Sequence, residues 1–151
     1  RVKVSKIALT NIQKVAKCKV DLYIEKKLKG KFYLLKGVEL PIGATLVYDD
    51  ISFSNAIDEF GLYIKLTDGD TFTMTGSIDV TGTNTSVPGT NTLYTSELSV
   101  GDEIVVSGET RTIATITGDT TATVTAAWGS DLANDTTPDC NPTALVDVII
   151  N

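Results

Sequence analysis

The sequence predicts an all-β fold: an antiparallel β-sandwich with a small β-barrel inserted in its final hairpin. Three observations lead there. Apolar and β-branched residues alternate with polar ones at period two, turn residues interrupt the runs at short intervals, and charge and composition change together near residue 77. The expected units are residues 1–76 plus 142–151, forming a discontinuous sandwich, and residues 77–141, forming the insert.

In the first unit, Ala16, Cys18, Val20, Leu22 and Ile24 share one parity and should face a core. Lys17, Lys19, Asp21 and Tyr23 then face away, as in a half-buried strand. Lys26-Lys27-Leu28-Lys29-Gly30 turns the chain into a strand over residues 31–38, and Pro41-Ile42-Gly43-Ala44 turns it again into residues 45–48. Residues 62–66 and 71–75 read as a hairpin, because Asp68-Gly69 suits a type I′ turn.

In the second unit, short strands are expected at residues 104–107, 110–117 and 122–126, with turns at Gly108-Glu109 and Gly118-Asp119. Leu98, Val100, Ile104, Val106, Ile113, Ile116 and Val124 would supply its core, a small one for about 65 residues. After Pro138-Asp139-Cys140-Asn141-Pro142 comes Ala144-Leu145-Val146-Asp147-Val148-Ile149-Ile150, too apolar to stand alone. Residues 143–151 are therefore expected to return and pair with residues 71–75. Loop tips tolerate such insertions.

Composition narrows the function. The 151 residues carry 13 basic and 19 acidic side chains, no histidine and two cysteines. Without histidine, imidazole-based nucleophile triads and most zinc sites are excluded. The longest apolar run, Phe32-Tyr33-Leu34-Leu35, is too short to span a membrane. The start at Arg1 rather than Met reads as trimming or as a start that lies before this sequence, and Arg1-Val2-Lys3 lacks the apolar core of a signal peptide. No GxxxxGK[ST] loop, GxGxxG fingerprint or CxxC pair occurs. All eleven lysines lie at or before Lys65, whereas residues 77–141 hold Arg111 alone against nine acids. That acidic stretch also contains sixteen of the twenty-three threonines.

With the insert set aside, the first unit resembles small β-sandwich virion structural proteins of tailed bacteriophages. The resemblance rests on Lys6-Ile7-Ala8-Leu9-Thr10-Asn11, Val20-Asp21-Leu22-Tyr23-Ile24, Tyr33-Leu34-Leu35-Lys36-Gly37-Val38, Leu40-Pro41-Ile42-Gly43-Ala44-Thr45-Leu46 and Val146-Asp147-Val148-Ile149-Ile150. The insert is similar to another phage virion module through Thr95-Ser96-Glu97-Leu98-Ser99-Val100-Gly101-Asp102-Glu103-Ile104-Val105-Val106 and Thr110-Arg111-Thr112-Ile113-Ala114-Thr115-Ile116. What the resemblance implies is a non-catalytic part of a symmetric particle, located in the virion. The leading expectation is a capsid decoration protein, the alternatives a neck, tail or fibre accessory or a carbohydrate-binding module for host attachment. Partners would be other virion proteins in a symmetric homo-oligomer, with no nucleic acid, no membrane, no cofactor and no metal. The lysine-rich sandwich would sit on an acidic lattice while the negative insert faces solvent; the plainer reading is that both charge sets are solvated faces.

Individual residues carry competing readings. Cys18 lies on the apolar parity, as a small buried hydrophobe does. A bridge from Cys18 to Cys140 would fasten insert to sandwich, against which stands assembly in a reducing cytoplasm. Asp131, Asp135 and Asp139, with Asn134 and Asn141, would offer oxygen ligands to calcium, but the EF-hand pattern is absent. Asp49 and Asp50, with Asp58 and Glu59, read as a glycosidase carboxylate pair or as turn chemistry. Lys14, Lys17, Lys19, Lys26, Lys27, Lys29 and Lys31, interleaved with Tyr23, Phe32 and Tyr33, read as a nucleic-acid surface or, more consistently with net charge −6, a protein-facing or solvated one. Trp128 is either a sugar platform or the closure of the small barrel. Asn84-Thr85-Ser86 and Asn134-Asp135-Thr136 fit the glycosylation pattern by chance.

Overall fold

The computed structural model describes residues 2–55 and 60–151. In chain order the first elements are β1 (Lys3–Val4), β2 (Ile7–Asn11), β3 (Cys18–Lys26), β4 (Gly30–Leu40), β5 (Thr45–Tyr48), β6 (Phe53–Ser54) and β7 (Phe60–Thr67). Then come β8 (Phe72–Thr73), β9 (Ser77–Val80), β10 (Ser86–Thr90), a one-turn helix α1 (Tyr94–Glu97), β11 (Glu103–Val106) and β12 (Glu109–Gly118). The chain closes with β13 (Thr121–Val124), β14 (Leu132–Asp135), β15 (Asp139–Asn141) and β16 (Val146–Ile150). The fold is all-β with antiparallel pairing throughout.

The chain forms two compact units. The first comprises Arg1–Gln13, Lys17–Asp68 and Ala144–Asn151, the second Lys14–Ala16 and Gly69–Thr143.

The first unit packs two three-stranded sheets, ordered β16-β2-β5 and β4-β3-β7, with the β1-β6 pair beside them. Its core joins Ile7 and Leu9 of one sheet to Cys18, Val20, Leu22 and Leu40 of the other, which makes it a sandwich. The parity expected for β3 holds as far as Leu22: Ala16, Cys18, Val20 and Leu22 are buried and Lys17 and Lys19 exposed, whereas Asp21 is half-buried and Ile24, also half-buried, lies outside the core cluster. Tyr23 faces away from that core but is itself buried, for a reason that lies in the neighbouring strands. The hairpin from β3 to β4 turns at 26–30 as expected, with Leu28 and Gly30 in the left-handed region.

Two expected pairings are corrected. Residues 143–151 do not return to residues 71–75; β16 pairs with β2 over five rungs, from Val146 opposite Asn11 to Ile150 opposite Ile7. The physical reason is parity, since Val148 and Ile150 pair with Leu9 and Ile7 on the core-facing side, whereas β8 offers two residues only. The Asp68-Gly69 hairpin is also absent. β8 pairs with β15 of the second unit, Phe72 opposite Cys140, and Asp68 Oδ1 instead accepts the Ala144 N–H. Because β7 and β16 belong to different sheets, the insert does not sit in a hairpin.

The second unit is an eight-stranded sheet ordered β14-β9-β10-β13-β12-β11-β15-β8 around one core. Its end strands, β14 and β8, are not hydrogen-bonded to each other among the described residues, so the expected barrel is not closed. The expected strands at 104–107, 110–117 and 122–126 appear as β11, β12 and β13. Ser107 and Gly108 both adopt positive φ between the paired Val106 and Glu109, the geometry of a type I′ turn. Of the seven expected core residues, Leu98, Ile104, Val106, Ile113 and Val124 are buried and Ile116 packs against them, but Val100 is 58% exposed. Val100 sits in a turn that Asp102 closes by accepting the Ser99 N–H at 2.8 Å, which points the Val100 side chain outward.

Candidate functional site

The most organised surface lies on the outer face of β4-β3-β7. Register puts Tyr33 and Tyr63 on either side of Tyr23, one tyrosine from each strand. Tyr23 stacks on Tyr63 with centroids 5.5 Å apart and planes inclined by 17°, and meets Tyr33 at the same separation with a 50° tilt. This explains why Tyr23 is only 8% exposed on a solvent-facing surface: its neighbours cover it.

Irregularities in β4 build the row. Tyr33 pairs with Tyr23 and Leu35 with Leu22, so Leu34 is an extra residue and the pairing contains a bulge. A second follows, because Lys36 and Gly37 both lie opposite Asp21; Gly37 takes φ +62° and gives its N–H to Asp21 Oδ1 at 2.6 Å. The bulges let Leu34 and Leu35 both pack on the core while Lys36 reaches the Tyr33 ring, its Nζ 4.9 Å from the centroid. Lys31 Nζ sits 4.7 Å from the Tyr23 centroid, an attraction between cation and ring quadrupole. Tyr23, with Glu25 contributing, raises the Lys31 ammonium above its ordinary value. Gly61 completes the arrangement, since a Cβ there would collide with the Tyr63 ring.

Charges alternate around the row. Glu25 lies opposite Lys31, Asp21 opposite Lys65, and Lys17 pairs with Glu39 at 2.9 Å, which lowers the Glu39 carboxyl. The face thus presents rigid phenols with their hydroxyl ends and a set of ammonium groups. Tyrosines held this way lose little entropy on contact, the property that makes them interface anchors. Lysines from the same chain already cover the Tyr23 and Tyr33 rings, which disfavours stacking of a base or sugar there.

The lysine set expected from the sequence is divided. Lys31 joins the tyrosine row, whereas Lys26 lies over the Phe60 ring at 4.9 Å and Lys14 belongs to the second unit, donating to the Thr95 carbonyl. Phe32 does not join Tyr23 and Tyr33: it pairs with Ile24 on the opposite side and lines an apolar groove with Ile24, Leu34, Ile51 and Phe53. Lys36, Lys65 and Tyr63 were not singled out in the sequence. The doubled Leu34-Leu35 followed by Gly37 was the available signal of a bulged strand.

The other candidates resolve individually. Trp128 is 1% exposed within the core of the second unit, so it offers no sugar platform. Its Nε1 donates to the Ser86 carbonyl and the Arg111 guanidinium covers its ring at 5.5 Å. Arg111 in turn bonds Glu109 and the Ala127 carbonyl, fixing the loop that carries the indole. Cys18 and Cys140 are free thiols, each buried in the core of its own unit, so the bridge between them is absent. Burial, with Asp68 adding, raises the Cys18 thiol; burial, then Asp102 and Glu97, push Cys140 up to about 12.

Asp131, Asp135 and Asp139 accept from separate donors: Gly82 N–H, the Ser107 and Thr137 N–H groups, and the Thr73 hydroxyl. No group of three metal-ligating side chains forms among the described residues. Asp50 borders the Phe32 groove, and Asp58 and Glu59 lie outside the described residues. Asn84 accepts the Ser86 N–H, and Asn134 takes φ +48° within β14. No helix among the described residues is long and apolar enough to cross a membrane.

Comparison with protein-family models, with curated proteins and with solved structures gives no match.

Proposed function

We propose that the chain is a non-catalytic structural protein of a tailed-bacteriophage virion, most simply a capsid decoration protein that binds neighbouring capsid subunits. The observation that carries this reading is the tyrosine row with Lys31, Lys36 and Lys65, a preorganised face on which ammonium groups outnumber the interleaved Asp21 and Glu25, suited to an acidic protein surface. It is supported by the resemblance of both units to virion modules and by the confinement of every lysine to residues 3–65. The first unit would meet the lattice and the acidic second unit would face solvent. A neck, tail or fibre accessory would use the same face. The carbohydrate-binding alternative loses its main candidate residue, because Trp128 is in a core.

The test is binding of the purified chain to capsids lacking it. Replacing Lys31, Lys36 and Lys65 together by glutamate reverses three exposed charges without touching either core. The expected result is binding weakened about tenfold to a hundredfold, with an unchanged circular dichroism spectrum, since charges at such contacts contribute roughly 0.5–1 kcal/mol each. Unaltered binding would remove this face from the interface.

A further inference from the structure

The open edge of β16 carries a feature that neither sandwich packing nor the tyrosine face uses. Among the described residues β16 pairs on one side only, with β2. Asn151 N–H donates to Lys6 O and Lys6 N–H to Asn151 O, and Ile12 N–H donates to Leu145 O. In an antiparallel ladder the bonded residues alternate, so Asp147 and Ile149 also bond to β2 while Val146, Val148 and Ile150 aim their N–H and C=O groups at the open edge.

Exposed strand edges are usually protected by lysine, proline, bulges or brevity. The other edges of this unit show such protection. β4 has Lys31, Lys36 and two bulges, β7 has Lys65 and Gly61, and β5 is four residues long and runs into Asp49 and Asp50. β16, five residues long, carries no lysine, proline or bulge and exposes Val148 at 43%, Ile149 at 62% and Ile150 at 54%. Its one charge is Asp147.

We infer that β16 pairs antiparallel with β16 of a second copy of this chain, about a twofold axis at Val148. The strand is complementary to itself in this register. Val148 faces its own counterpart and Val146 faces Ile150, so every outward N–H and C=O within the strand meets a partner. Asp147 then lies opposite Ile149 of the other copy. Of the neighbouring registers, the one centred on Asp147 would oppose two like charges and leave Ile150 beyond the paired rungs, and the one centred on Ile149 would leave Val146 unpaired, so bond count selects this alignment and charge adds to it against the first. The result is one continuous six-stranded sheet, β5-β2-β16 from each copy, that covers the half-exposed Val148 and Ile150. The inference is independent of the virion reading, since it concerns the purified chain alone.

Sedimentation equilibrium of the full chain tests it. A concentration-dependent dimer is expected, weak because a single strand pair buries less than a standard interface, with a dissociation constant of about 10 μM to 1 mM. Val148→Pro deletes an outward N–H and spares the β2 ladder, and proline is tolerated at such edge positions; it should weaken the dimer at least about tenfold. Hydrogen exchange on the unmodified chain gives a second measurement that does not depend on the variant folding. Raising concentration should slow exchange at Val146, Val148 and Ile150 but not at Thr45 and Val47 on β5. A chain monomeric at about 1 mM, a folded Val148→Pro variant that dimerises as before, or concentration-dependent protection elsewhere would overturn the inference.

Discussion

Replacing Trp128 by alanine is expected to destabilise the second unit by about 3–5 kcal/mol, the range for removing a large aromatic side chain from a core. The indole is among the largest fully buried side chains and packs within the cluster that includes Ile78, Val87, Leu98, Ile104 and Ile113. Its loss also leaves the Ser86 carbonyl without the Nε1 donor and the Arg111 guanidinium without a ring beneath it. For a unit of this size the midpoint of thermal unfolding should fall by about 15–30 °C. Differential scanning calorimetry reads the change. Trp128→Phe, which keeps an aromatic ring and loses the donor, should cost less. A fall of under about 5 °C for the alanine variant would show that the indole does not organise this core.

The second large effect is expected at Asp102. This carboxylate is fully buried; Oδ2 accepts the Ser99 N–H at 2.8 Å and Oδ1 the Thr143 N–H at 3.0 Å. It therefore closes the turn before β11 and anchors the segment that follows β15. Hydrogen bonds to a charged acceptor are worth about 1.5–3 kcal/mol each, and removing the acceptor strands the buried Ser99 N–H and the part-buried Thr143 N–H. Asp102→Ala should lose about 3–5 kcal/mol in urea unfolding followed by the fluorescence of Trp128. Trp128 is the single tryptophan, so that signal reports on the second unit. Asp102→Asn should fall between the two, because its amide keeps one acceptor and turns an NH2 group towards the other donor. A change within about 1 kcal/mol for the alanine variant would contradict this role.

How far the sequence carried depends on whether an interaction was local. The alternation around Cys18, Val20 and Leu22 located β3 and its buried face, and the Gly108 turn located the β11-β12 hairpin, because period and turn chemistry are local properties. Strand partnership was not local. β16 was recognised as an apolar strand needing a partner, but its apolarity suits any sheet with an open edge, and the five rungs with β2 are set over more than 130 residues. The Asp68-Gly69 pair carries a strong turn signal, yet Asp68 holds the Ala144 N–H instead of closing a hairpin.

The tyrosine row was partly legible. Tyr23 and Tyr33 stood among lysines, but Phe32 was grouped with them until the pairing of β4 put it on the other side. Tyr63 joins through the register of β7, and Lys36 through a bulge that reverses the alternation expected after Tyr33. Trp128 admitted two readings because Ala126-Ala127-Trp128-Gly129 does not say which side of a loop the indole takes. Arg111 and Ser86 decide it, from 17 and 42 residues away.

Electron cryo-microscopy of the assembled particle tests the central proposal most directly, by locating the chain and the surface through which it meets its neighbours. The expected map places it on the capsid lattice, with Tyr33, Tyr63, Lys31 and Lys36 at the contact and residues 77–141 in solvent. A map in which it lies elsewhere in the particle, or meets its neighbours chiefly through the second unit, would contradict the decoration role and the assignment of the tyrosine face.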